Sequence, residues 1–109
     1  MSLVSVIVPL KDERENVRPM AERVRAALGG MSWELVFVDD GSTDGTFAEL
    51  EAVAATDPRV RVVRLRRNFG QSAATQAGFD AAAGYVIVTL DGDLQNDPAD
   101  IPGMLNKLD

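Results

Sequence analysis

Four short runs rich in Val, Ile and Leu recur along the chain, at residues 3–10, 34–39, 60–65 and 85–90. Longer stretches with apolar residues every three or four positions separate them, which is the signature of strands alternating with amphipathic helices. Several of the runs are nearly continuous in apolar character. A strand that is apolar on both faces belongs inside a parallel sheet with helices covering both sides. The pattern therefore predicts an α/β fold built on a parallel, Rossmann-like sheet. Right-handed crossovers restrict its topology, and the commonest doubly wound order for four such strands is 3-2-1-4. In that order the direction of winding reverses between strands 1 and 4, so a ligand is expected beyond the C-terminal ends of those two strands.

The intervening segments fit this arrangement. Val17, Met20, Val24 and Leu28 mark one face of a first helix that Asn16 is expected to cap and Gly29-Gly30 to end. A second helix is expected over residues 43–55, with Phe47, Leu50 and Val53 inward and Pro58 just beyond its end. A third, over residues 72–83, presents Ala74, Ala77, Gly78 and Ala81, small residues that let a helix backbone lie close to a sheet. A fourth is expected to open with Asp97 as cap and Pro98 at its first position, then to carry Ile101, Leu105 and Leu108. No repeat or linker divides the chain, so residues 3–109 read as one unit.

Composition narrows the chemistry. The 109 residues include no Cys and no His, which excludes disulfides, thiol and Ser-His-Asp nucleophiles, and zinc sites made from those ligands. Any metal must be held by oxygen. With 11 basic against 17 acidic residues, the charge balance argues against a nucleic-acid partner, whose phosphates reward clustered Lys and Arg. The apolar runs are far shorter than the ~20 residues of a membrane-spanning helix. With no charged leader before the first run, a cytoplasmic protein is expected.

The strand ends carry the functional signal. Residues 9–17 after the first strand, PLKDERENV, contain no glycine, so neither the dinucleotide turn nor the phosphate loop is present. The second strand runs into Asp39-Asp40-Gly41-Ser42-Thr43-Asp44-Gly45, and the fourth into Asp91-Gly92-Asp93-Leu94-Gln95-Asn96-Asp97. Carboxylates crowded at one edge raise one another's pKa unless a cation compensates. Asp91 and Asp93 in an extended D-x-D, with the amide oxygen of Gln95, form part of an oxygen shell suited to Mg²⁺ or Mn²⁺, ions that commonly bind substrate phosphates.

Plainer readings stand beside this one. Acidic strand ends are often solvated turns, and Ser42 or Thr43 is also a natural helix cap. Arg59, Arg61, Arg64, Arg66 and Arg67 form a basic stripe around the third strand, readable as a face paired with acids or as a phosphate or lipid-headgroup site. Asp40, Ser42, Asp44, Gly45 and Glu51 also match positions 1, 3, 5, 6 and 12 of an EF-hand loop, although that loop needs a helix where the sequence predicts a strand.

Four segments, VSVIVPLKDERENV, ELVFVDDGSTDGT, RNFGQSAATQAGFDAAAG and VIVTLDGDLQNDP, in this order and at these intervals, resemble the N-terminal half of family 2 glycosyltransferases of the GT-A type. The likeness covers nearly the whole chain and is nearest to dolichyl-phosphate mannose synthases and polyprenyl-phosphate sugar transferases. It implies a nucleotide-sugar donor lying across the strand ends, Mg²⁺ or Mn²⁺ clamping its diphosphate, and a polyprenyl phosphate acceptor. By motif, Pro9, Lys11 and Glu13 match the segment edging the nucleoside, and Val38, Asp39 and Asp40 the base-binding strand end. Asp91, Gly92 and Asp93 match the acidic triplet, with Asp93 and Gln95 as metal ligands and Asp91 nearer the ribose or an outer ligand. No catalytic base is implied, because a lipid phosphate is already an anion. Lys11 stands where the family often has Tyr, and its methylenes offer a different cover for a flat base.

The resemblance further implies that residues 3–109 are the donor-binding half, that the acceptor half lies beyond them, and that the full-length protein works at the cytoplasmic face of a membrane. An uncovered sheet edge then invites self-association. The residues alone also leave open a nucleotidyltransferase-like enzyme and a non-catalytic metal-binding α/β interaction domain.

Overall fold

A computed structural model describes residues 3–92 together with 98, 101 and 102. Four parallel strands, β1 (Val4–Leu10), β2 (Trp33–Asp39), β3 (Val60–Arg64) and β4 (Val86–Thr89), form one sheet in the order β3-β2-β1-β4. This is the expected 3-2-1-4 arrangement, with β1 central. Every residue of β1 and β2 is buried, as the continuous apolar runs require of strands covered on both faces.

Among the described residues, that cover comes chiefly from α1 (Val17–Leu28), α2 (Thr46–Thr56) and α3 (Gln71–Ala81). Alternate strand residues point to opposite faces. Val4, Val6, Val8 and Leu10 of β1 join Leu35 and Phe37 of β2 in the larger core, closed by Val17, Met20, Val24 and Leu28 of α1 and Leu50 and Val53 of α2. On the opposite face Ile7, Val36 and Val38 meet Ala74 of α3. The small stripe on α3 has the expected purpose at Gly78, where a Cβ would lie 2.4 Å from Ile7 Cγ2.

At the N-terminal end of the sheet, a buried polar network pins the α3–β4 connection. The Glu34 carboxylate accepts the Ser5 hydroxyl at 2.6 Å, the Ala83 amide at 2.7 Å and Arg61 at 2.9 Å, while Ser5 Oγ accepts the Gly84 amide at 2.9 Å.

Three expectations change. The second helix begins at Thr46 rather than 43, because residues 40–45 are held in a turn: Asp39 Oδ1 accepts the Ser42 amide at 2.9 Å and Asp44 Oδ1 accepts the Thr46 amide at 2.9 Å. Asn16 makes no side-chain cap bond to α1 and directs its amide elsewhere. Phe47 is only half-buried and lies beneath the Arg64 guanidinium, 4.0 Å from its ring centroid. Of the expected fourth helix, Pro98 and Ile101 are buried, Ile101 within the larger core; Asp97, Leu105 and Leu108 lie outside the described residues.

Candidate nucleotide-sugar site

The C-terminal ends of β1, β2 and β4 open into a cleft with two adjoining parts. The larger, about 270 Å³, is lined by Pro9, Leu10, Lys11, Glu13, Asp40, Asn68, Gly70 and Gln71. The smaller, about 210 Å³, shares Pro9, Glu13 and Gln71 and is completed by Asp91 and Gly92. The cleft therefore lies where the sheet order reverses, between β1 and β4, the place where open α/β sheets bind ligands.

Two loops build its rim by gripping each other. Asp12, the described non-glycine residue with a left-handed backbone (φ 51°), donates its amide to Ser42 Oγ at 2.8 Å and accepts the Thr43 amide on Oδ1 at 2.7 Å. One residue on, the Glu13 amide donates to Thr46 Oγ1 at 3.1 Å. Lys11 and Glu13, on either side of this clasp, face the cleft. Asp44, within the second loop, has its pKa lowered by hydrogen bonds from the Thr46 hydroxyl and amide, which favour the ionised carboxylate.

Asp40 holds the third wall. Its carboxylate, 5% exposed, accepts the Phe69 amide at 2.8 Å and the Gly70 amide at 3.1 Å, fixing the segment that leads into α3. Gly41 allows the two loops to meet: its φ is 75°, and a Cβ would lie 2.4 Å from the Arg67 carbonyl carbon. On the β4 side, Asp91 Oδ1 accepts Gln71 Nε2 at 3.1 Å. Gly92 is packed so closely that a Cβ would come 2.2 Å from Leu10 Cδ2 and 3.0 Å from Glu13 Oε1. Its carbonyl accepts Asn16 Nδ2 at 2.9 Å.

Of the residues expected at the site, Pro9, Lys11, Glu13, Asp40, Asp91 and Gly92 are brought together around the cleft. Val38 is buried against the α3 face instead, and Asp39 is fully buried beneath the turn that it organises; neither lines the cleft. Asp93 and Gln95 lie outside the described residues. Among the described residues no group of three or more acidic side chains could hold a metal ion. Asp91 is the acid that the described part of the triplet contributes to the cleft.

Sequence reasoning did not single out Asn68, Gly70 and Gln71. The available signal is a glycine immediately before a helix, Gly70, whose amide donates to Asp40.

The rival readings lose their geometry. The element preceding Asp40 is β2, not a helix, and both Asp40 oxygens accept backbone amides, so the residues of the EF-hand pattern do not form that loop. The basic stripe is largely engaged within the chain. Arg59 pairs with Asp57 at 3.1 Å and lies 4.2 Å from the Trp33 ring centroid, Arg61 pairs with Glu34 at 2.9 Å, and Arg64 and Arg67 stack on Phe47 and Phe69.

Comparison with known proteins bears on the family and the fold. The dodecaprenyl-phosphate galacturonate synthase of Rhizobium johnstonii is 49% identical over 109 residues, covering 97% of this chain and 32% of that protein. An undecaprenyl-phosphate 4-deoxy-4-formamido-L-arabinose transferase of Pectobacterium carotovorum is 45% identical over 106 residues, covering 94% and 32%. The chain thus spans about a third of the length of these relatives. Among solved structures, the mannosyltransferase of Pyrobaculum calidifontis in complex with GDP-Man and Mn²⁺ superposes with a TM-score of 0.76 at 27% identity, over 84% of this chain and 28% of that one. The Glycosyl transferase family 2 profile matches residues 5–109, and the chain belongs to that family.

Proposed function

We propose that residues 3–109 form the donor-binding half of a glycosyltransferase that moves a sugar from a UDP- or GDP-linked donor to a polyprenyl phosphate at the cytoplasmic face of a membrane. One observation carries this reading: Pro9, Lys11, Glu13, Asp40, Asp91 and Gly92, drawn from three separate motifs, surround one cleft at the reversal point of the sheet. The polyprenyl-phosphate chemistry in the names of the two relatives supports the acceptor class. The GDP-Man and Mn²⁺ of the mannosyltransferase complex support the donor class and the divalent ion. Among the described residues no helix is long and apolar enough to cross a membrane.

In this reading the nucleoside lies in the larger part of the cleft, edged by Pro9 and Lys11. Val38 and Asp39 shape the strand end from beneath, and Asp40 keeps the far wall in place. The diphosphate extends toward Asp91 and Gly92, and Asp91, Asp93 and Gln95 would hold Mg²⁺ or Mn²⁺. When bound, that ion offsets the charge that builds on the leaving diphosphate. A lipid phosphate oxygen attacks the anomeric carbon as its bond to the diphosphate oxygen breaks, releasing nucleoside diphosphate. Because the attacking oxygen is already anionic, no side chain is assigned as general base. The same reading includes association of two copies through the β4 edge, which sedimentation velocity tests.

The deciding experiment is calorimetry of this chain with UDP, GDP and ATP, each with Mn²⁺ and with EDTA. Metal-dependent binding of UDP or GDP is expected, with Asp93→Asn weakening it. Equal affinity with and without metal would remove the acidic triplet from the site.

A further inference from the structure

Asn is among the residues most favoured as a helix N-cap, where its side-chain oxygen accepts an amide of the first turn. Asn16 sits at that position before α1 and makes no such bond; its own backbone is helical, with φ −91° and ψ −12°. Its Nδ2 instead donates to the carbonyl of Gly92, 76 residues away, at 2.9 Å, with a longer contact of 3.4 Å to Glu13 Oε2. The side chain is half-buried. Gly92 is clamped at the same time, since Leu10, Pro9 and Glu13 leave no room for a Cβ. Asn16 is therefore a polar link between the start of α1, the β1 loop and the middle of the acidic triplet.

We propose that Asn16 is a positioning residue for the β4 end of the cleft: its amide fixes the Gly92 carbonyl, and through it the placement of the adjoining Asp91 beside the cleft. This rests on the donor-site reading above. A side chain that orients a ligand-bearing segment without touching the ligand typically changes metal affinity by about 10–100-fold when removed.

Two substitutions separate this role from a helix cap. Asp is as good an N-cap as Asn and places negative charge favourably at a helix N-terminus. It lacks the N–H, however, and it would set an acceptor against the Gly92 carbonyl and the Glu13 carboxylate. A cap therefore ranks wild type and Asn16→Asp together, above Asn16→Ala. A positioning residue ranks wild type first, Asn16→Ala lower and Asn16→Asp lowest.

The test uses three readouts on this chain: the ¹³C shift of the Gly92 carbonyl, the affinity for UDP with Mn²⁺, and the thermal midpoint. The expected result is an altered Gly92 carbonyl shift in both variants, with affinity falling about tenfold in Asn16→Ala and further in Asn16→Asp. An Asn16→Asp chain that matches wild type in all three overturns the proposal. If that variant does not fold, Asn16→Ala decides: unchanged carbonyl shift and affinity overturn it. If wild type shows no metal-dependent UDP binding, the donor-site reading fails while the carbonyl shift still decides whether Asn16 fixes Gly92.

Discussion

The carboxylate of Asp40 accepts the amide of Gly70 at 3.1 Å across 30 residues of sequence, and so the end of β2 determines where α3 begins. With the Phe69 amide on its other oxygen, the buried side chain is a scaffold for the cleft wall. Asp40→Ala leaves the Phe69 amide without its acceptor and the Gly70 amide with only its bond to Asn68 Oδ1 at 2.9 Å, and should destabilise the chain by about 1–3 kcal/mol. Asp40→Asn retains one acceptor oxygen and should lose less. Urea denaturation measures both, and nucleotide affinity should fall in the same order. Destabilisation within error of zero for Asp40→Ala would mean that residues 68–70 do not depend on this carboxylate.

Asp12 combines a left-handed backbone with a reciprocal pair of hydrogen bonds to Ser42 and Thr43. A left-handed conformation costs an ordinary residue ~1–2 kcal/mol, whereas Asn tolerates it and Gly is free to adopt it. Asp12→Asn keeps an acceptor oxygen and the conformation, and should lie near wild type. Asp12→Gly keeps only the conformation, and Asp12→Ala keeps neither. The expected order of stability and of donor affinity is Asn, then Gly, then Ala; the reverse order for Gly and Ala would show that the backbone at this position is unstrained.

The sequence made the sheet legible because β1 and β2 are buried on both faces, and a run such as VSVIVPL fits that environment and little else. It made α1 legible for the complementary reason: Val17, Met20, Val24 and Leu28 lie on one stripe and are all buried. The rim of the cleft was harder to read. Ser42, Thr43, Asp44 and Asn16 are all residues that cap helices, and only tertiary contacts show that Ser42 holds Asp12 and Asn16 holds Gly92. Arg64 and Arg67 looked like a charged surface because sequence alone does not reveal the rings beneath them. The cleft residues Asn68 and Gln71 gave no periodic signal, since they lie where a strand has ended and a helix is just starting.

Acid should weaken the fold at two identifiable places. Hydrogen bonds from Arg59 hold the Asp57 carboxyl down at about 2 against a usual 3.8, outweighing its burial. In Glu34 burial pushes the pKa up, but the Ala83 amide, the Ser5 hydroxyl and Arg61 together bring it below its usual 4.5. A carboxyl with a lower pKa in the folded state than in the unfolded one contributes its full stabilisation above the unfolded value. That contribution is lost as pH falls through the folded value. Stability from Asp57 should therefore decline from about pH 4 toward pH 2. In Asp57→Asn, thermal midpoints recorded over that range should fall less steeply than in wild type; parallel curves would contradict the assignment.

Glu51 provides the test of the discarded calcium loop. It is exposed on α2, downstream of a turn whose preceding element is a strand. Glu51→Gln should leave nucleotide binding unchanged and stability within about 0.5 kcal/mol, as for most surface substitutions. A saturable Ca²⁺ response in wild type that disappears in this variant would restore the loop.

Gly78 sets a helix-propensity gain against a steric loss. It lies inside α3, where replacing Gly by Ala ordinarily stabilises a helix by ~1 kcal/mol. Here the added methyl would stand 2.4 Å from Ile7 Cγ2, 3.3 Å from Val38 Cγ2 and 3.4 Å from Ile7 Cβ. Ile7 is fully buried in the central strand and is β-branched, so its side chain has little freedom to turn away. Relief requires α3 to move off the sheet, and overpacking of this kind costs about 1–3 kcal/mol. The steric term should win. Gly78→Ala should lower the urea midpoint, and because α3 starts at Gln71 beside the cleft, it should also weaken nucleotide binding. Gly30→Ala is the matching control: a Cβ there meets nothing within 4 Å, and both properties should stay near wild type. A Gly78→Ala chain as stable as this control would show that α3 does not rest on the sheet as closely as its small-residue face indicates.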